Sequence, residues 1–97
     1  MMDGNSSNVT QGVLLALYEG IRKRAQATTS ADQLRDLAES MHALHGTSAD
    51  GDAARDARRQ AAESIAQSIG KRAAATTAVE QLKLLTNAYA LIADALE

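Results

Sequence analysis

The stretch Ile21-Arg22-Lys23-Arg24-Ala25-Gln26-Ala27-Thr28-Thr29 returns 48 positions later as Ile69-Gly70-Lys71-Arg72-Ala73-Ala74-Ala75-Thr76-Thr77. The register continues through Gln33/Gln81, Leu34/Leu82 and Leu37/Leu85. Ten of the seventeen pairs from Ile21/Ile69 to Leu37/Leu85 are identical, and Asp32/Glu80 and Arg35/Lys83 are conservative. Shared helical composition can produce scattered matches but not a common Lys-Arg-Ala-x-Ala-Thr-Thr run, so the chain is a duplicated unit.

Both copies carry the same punctuation. Thr29 and Thr77 suit an N-cap, where a hydroxyl accepts from an otherwise unpaired amide, and Asp32 and Glu80 fall three residues on, where a carboxylate can reach back. The Lys-Arg pair ahead of each turn suits the end of an upstream helix, opposing the negative end of its dipole. Each unit therefore reads as a helix, a tight Ala-Thr-Thr turn and a second helix. Helices are expected near 9–27, 30–45, 52–75 and 78–96. Residues 1–8 form a tail or arm, and 9–97 form a single helical domain: hairpin 1 at about 9–45, a loop at 46–52 containing Gly46 and Gly51, and hairpin 2 at about 52–96. Asp50 or Asp52 is available to cap the third helix.

Composition agrees with an all-α class. Ala is abundant, while Pro, Phe, Trp and Cys are absent. At 97 residues the chain has room for one small core, built from Leu, Ile, Val, Met, Ala and two Tyr. The expectation is two tandem helical hairpins, packed as a four-helix bundle or extended within an oligomer. A formal net charge of −2, with both halves nearly balanced, gives no field suited to general binding of nucleic acid or anionic membrane. The start lacks the basic and apolar regions of a secretory signal, and no run approaches the ~20 apolar residues of a membrane span. Without Cys, disulfides, thiolate nucleophiles and Cys-ligated zinc are ruled out.

The helical periodicity assigns core stripes. Val13, Leu17 and Ile21 form one in the first helix, and Leu34, Leu37, Met41 and Leu44 one in the second. Ala54, Ala61, Ala62, Ile65, Ile69 and Ala73 form a small-residue stripe in the third, and Leu82, Leu85, Tyr89, Ile92 and Leu96 one in the fourth. Two helices carry apolar residues in excess of these stripes. The fourth adds Leu84, Ala88, Leu91 and Ala95, whose counterparts Asp36, Ser40, Ala43 and Thr47 are mostly polar. The first adds Leu14, Leu15 and Tyr18, whose counterparts are Ala62, Glu63 and Ala66. These seven excess residues are the candidate interface, because a bundle of this size usually buries one stripe per helix. The competing expectation is that they complete the intramolecular core.

No motif assigns a catalytic, cofactor or metal site. His42 and His45, with Glu39, have helical spacing for a shared metal, but no Cys or carboxylate cluster completes a shell, so the histidines read as helix-end residues. Arg22-Lys23-Arg24, Arg55 with Arg58 and Arg59, and Lys71-Arg72 read as helix-end and ion-pairing charges, not phosphate contacts; Arg58 and Arg72 are placed to pair across an interface. Gly-rich phosphate loops, a Ser-His-Asp pattern and His-Glu-x-x-His are missing, so the chain is not expected to be an enzyme or to take a small-molecule substrate.

Lys71-Arg72-Ala73-Ala74-Ala75-Thr76-Thr77-Ala78-Val79-Glu80-Gln81-Leu82 and its partner Lys23 to Leu34 resemble the Ala-Thr-Thr-x-x-(Glu/Asp)-x-Leu hairpins of small virion structural proteins of tailed bacteriophages. The resemblance implies a non-enzymatic repeated subunit of a head, neck, fibre or decoration assembly, located in the virion; without it, the expected location is the cytoplasm. The duplication and the polar outer face of the second helix depart from a single-hairpin pattern. The expected partner is the chain itself, as a homo-oligomer, or another assembly protein. The reading of a different class is a small regulatory or inhibitory protein-binding module.

Overall fold

A computed structural model of the chain describes residues 2–44 and 51–96, with side chains from residue 9 onward. Four helices, α1 (Met2–Ala27), α2 (Ala31–Leu44), α3 (Asp52–Ala75) and α4 (Val79–Ile92), are followed by a closing 3₁₀ turn, Ala93–Leu96. The fold is all-α, with no strand among the described residues. α1 starts well before the expected position 9, because extending a formed helix through Gly4-Asn5-Ser6-Ser7 costs only their modest propensity deficits, about 1 kcal/mol or less per residue. Most of the expected loop, with His45 and Asp50, lies outside the described residues. Gly51 is the N-cap of α3 and no side chain caps it.

The duplication is visible in three hydrogen bonds that the turns share. Thr28 Oγ1 accepts from the amide of Ser30 at 3.1 Å, and Thr76 Oγ1 accepts from that of Ala78 at 3.2 Å. The Leu34 amide donates to the Ser30 carbonyl at 2.9 Å, and the Leu82 amide to that of Ala78 at 3.0 Å. Arg24 donates to Gln33 Oε1 and Arg72 to Gln81 Oε1, each at 3.0 Å, tying the two helices of each hairpin beside the turn. The capping expectation shifts by one residue: Ser30 and Ala78 are the N-caps in place of Thr29 and Thr77, with Ser30 Oγ accepting from Gln33 N at 3.4 Å. The threonine chemistry acts upstream, through Thr28 and Thr76, because a hydroxyl bonding two residues ahead closes a turn before the helix begins. Asp32 and Glu80 sit in the first helical turns, where a negative charge favours the dipole.

Within each hairpin the helices are antiparallel. The Arg58–Asp94 ion pair at 3.2 Å brings the end of the chain beside the start of α3, and Leu44 at the end of α2 shares a groove with Val9 and Val13. Between hairpins the packing is parallel. Gly51 backs onto the Gln11 side chain, and toward the other end Gln26 donates to Ser64 Oγ and Ser68 Oγ donates to the Ala25 carbonyl. α1 thus runs alongside α3, and α2 alongside α4; these are the two extensive helix pairings, and among the described residues α1 and α4 do not meet.

The core lies at this junction. Ala25, Ala61, Ala62, Ser64 and Ser68 let the α1 and α3 backbones approach closely, and the serine hydroxyls satisfy buried polar positions. Leu34, Ile65 and Ile92 are its largest fully sealed side chains. The small-residue stripe of α3 is buried as its spacing predicts, with Ala73 half-buried.

Two stripes are displaced from their expected columns. In α1 the inward column is Leu14, Tyr18, Ile21 and Ala25, while Val13 and Leu17 are exposed. In α4 it is Leu85, Ala88 and Ile92, continued by Ala95 of the 3₁₀ turn, while Leu82 and Tyr89 are exposed. Both helices have apolar arcs wider than one neighbour covers, so the neighbour's position, not the pattern, selects the inner column.

Candidate association faces

The seven residues expected to face outward do not do so as a set. Leu14, Tyr18, Ala88 and Ala95 are sealed within the chain's own core, and Leu15, Leu84 and Leu91 are half-buried, the latter two packed against that core. Leu14 and Tyr18 turn inward because theirs is the α1 column that the bundle covers, and the α4 members because hairpin 2 rests on hairpin 1 through the α4 column that hairpin 1 lacks. Leu84 and Ala88 supply the apolar contact there, where the corresponding positions in α2, Asp36 and Ser40, are exposed.

The outward apolar face lies in the adjacent columns of the same two helices. Among the described residues the exposed large hydrophobics are Val9, Val13 and Leu17 on α1, and Val79, Leu82 and Tyr89 on α4. The α1 trio lines one open groove, and Leu82 and Tyr89 line another. One, of about 340 Å³, is lined by Val9, Thr10, Val13, Leu14, Leu17 and Leu44; the other, of about 270 Å³, by Ile69, Ala73, Leu82, Leu85, Thr86 and Tyr89. A shallower cleft of about 160 Å³ beside the first turn is lined mostly by polar side chains, Arg24, Gln33, Asp36 and Ser40, with Leu37.

The 48-residue register explains which residues are left outside. The buried residues of α2, Ala31, Leu34, Ala38 and Met41, correspond to Val79, Leu82, Thr86 and Tyr89, all exposed. Leu34 is 0% exposed and Leu82 37%; Met41 is 2% and Tyr89 50%. In the other direction Ala61, Ser64, Ile65 and Ser68, which α3 turns toward α1, correspond to Val13, Ala16, Leu17 and Gly20, again all exposed. The exposed large hydrophobics described thus occupy repeat positions whose counterparts are buried in the core, except Val9, whose counterpart Ala57 is half-buried against it. Periodicity within single helices could not reveal this. The signal available was the run of small residues in α3, which marks the face that a neighbouring helix approaches most closely.

Charged groups play supporting roles. Burial pushes the Tyr18 phenol above its ordinary range, partly opposed by the Arg58 charge. The Glu19 carboxyl is held below its usual range by its hydrogen bond to Arg22, and Arg22 is raised by the same contact. Arg35–Glu39 and Arg59–Glu63 are exposed pairs along single helices, at 3.4 and 3.8 Å. Within the chain Arg58 pairs with Asp94 and Arg72 donates to Gln81. Glu39 and His42 are exposed, His45 lies outside the described residues, and no group of three candidate metal ligands occurs among those described. No described helix is long and apolar enough to cross a membrane. In comparisons with known proteins, no family model, curated protein or solved structure matches the chain.

Proposed function

We propose that the chain is a non-enzymatic assembly subunit that associates with further copies of itself through the apolar faces of α1 and α4. The observation that carries this reading is that the exposed large apolar residues are confined to α1 and α4, among the described residues, with Val9, Val13 and Leu17 lining one open groove and Leu82 and Tyr89 another. Scattered apolar residues are ordinary on a protein surface, whereas contiguous patches mark places that another surface covers. The resemblance of the Ala-Thr-Thr hairpins to those of small phage virion proteins supports the same class of role.

Sedimentation velocity across the micromolar range tests it. The sedimentation coefficient is expected to rise with concentration, and to fall to that of a monomer when Leu17→Asp and Leu82→Asp are combined, with helical circular dichroism retained. A wild-type chain that stays monomeric throughout overturns the proposal and favours the binding-module reading, in which a different protein covers these faces.

A further inference from the structure

The junction inside the chain is asymmetric. Hairpin 1 contributes one face, carrying Ala25, Leu34, Ala38 and Met41; hairpin 2 contributes the opposite face, carrying Ala61, Ile65, Ser68 and Ala88. This follows from the parallel pairing of α1 with α3 and of α2 with α4: related units have been stacked in the same orientation, as in repeat architectures where each unit rests on the next. A two-fold arrangement would have matched each face with itself. Because the hairpins are copies, each possesses both faces, and stacking two of them leaves one face of each kind open at opposite sides of the molecule.

We infer that copies of the chain join head to tail, with the open face of hairpin 2 (Leu82, Thr86 and Tyr89) seated on the open face of hairpin 1 (Val13, Leu17 and Gly20) of the next copy, repeating the internal junction. This rests on the self-association proposed above and specifies its geometry. The partner's chemistry is supplied by the molecule itself, since the internal junction already joins these two kinds of face.

The departures from the internal junction are informative. Val9 and Val13 stand where hairpin 2 has Ala57 and Ala61, so the open α1 face offers more apolar area. Gly20 stands where Ser68 donates to the Ala25 carbonyl, and a Cβ there would meet nothing within 4 Å, so a neighbouring helix is free to approach. On the α2 side, Asp36 and Ser40 replace Leu84 and Ala88. The junction between copies is thus apolar along α1 and polar along α2, which makes it weaker than the internal one and reversible. Joining two different faces produces a ring where the rotation per copy closes and a filament where it does not.

Two half-blocked chains test the polarity. Val13→Asp with Leu17→Asp blocks one face, and Leu82→Asp with Tyr89→Asp blocks the other. Each chain alone is expected to be monomeric, and their mixture to form a one-to-one heterodimer and nothing larger. The mixture should bind at least about a hundredfold more tightly than either chain binds itself. Milder variants guard against misfolding. In this chain without Cys, Gly20→Cys and Ala73→Cys occupy the counterparts of the contacting Ser68 and Ala25. Oxidation should cross-link a mixture of the two into dimers while leaving each alone largely uncoupled. If wild-type chains assemble but the mixtures fail to pair, or one variant alone pairs as well as the mixture, the head-to-tail geometry is overturned and self-association stands. If wild-type chains do not assemble, both proposals fall together.

Discussion

Leu34 and Leu82 are the same residue at the same place in two copies of one unit, each one turn into the second helix of its hairpin. Leu34 is among the largest fully sealed side chains in the protein, and Leu82 lies at the rim of an open groove. The hairpins share three turn hydrogen bonds and differ in the weak Ser30 cap, so local structure does little to separate the two leucines. Position in the stack does. Hairpin 1 turns this face toward hairpin 2, while hairpin 2 turns its own copy away. A repeat unit needs a neighbour on each side to bury both of its faces, and two units supply only one junction.

Truncating both leucines gives the widest separation. Leu34→Ala should destabilise the monomer by about 2–5 kcal/mol, since it opens a cavity in a packed junction, whereas Leu82→Ala should cost less than about 1 kcal/mol. Urea denaturation at concentrations too low for assembly measures both; equal losses would mean that the hairpins are equivalently packed and the comparison is mistaken.

The turns provide a narrower contrast. Thr28→Ala and Thr76→Ala each remove the acceptor for an amide two residues ahead, a loss of about 0.5–2 kcal/mol on the scale of capping substitutions. Thr28 is buried and Thr76 only half-buried, so the first should be the costlier, because water replaces the lost partner more readily at the second. Thermal melts of the two variants would show it, and a larger loss at Thr76 would reverse the assignment of hairpin 1 as the better-sealed unit.

The two tyrosines sharpen the contrast by pH. Burial raises the Tyr18 pKa above its unfolded value, so the folded chain holds the phenolic proton at a pH where the unfolded chain releases it. The stability this contributes is full below the unfolded value near pH 10 and is lost as the pH rises through the folded value. Melting temperatures should fall on the alkaline side, and Tyr18→Phe should flatten that fall, while Tyr89→Phe on the exposed face should leave it in place. An unchanged alkaline profile in Tyr18→Phe would remove Tyr18 as its cause.

Much of this fold can be read in advance because the informative signals are local. An Ala-rich chain without Pro forms helices, and the Ala-Thr-Thr turn, written twice, breaks them within a residue of where its spacing puts the breaks, although α1 begins earlier than position 9. Even the expectation that α1 and α4 carry excess apolar surface holds as a statement about helices. It fails as a statement about columns. Single-helix spacing puts Leu14 and Tyr18 in the excess column and Val13 and Leu17 in the core stripe, whereas in the fold the first pair lies in the core and the second outside.

The amino-acid sequence by itself determined the helices, the turns, the duplication and the width of each apolar arc, all of which depend on neighbours a few residues apart. Only the tertiary structure decided which part of each arc is covered. Two hairpins with apolar residues on more than one column can stack in several ways, and periodicity within a helix is blind to the choice. The parallel pairing of α1 with α3, made close by Ala61, Ser64 and Ser68, seals one copy of a shared face and leaves the other open to water.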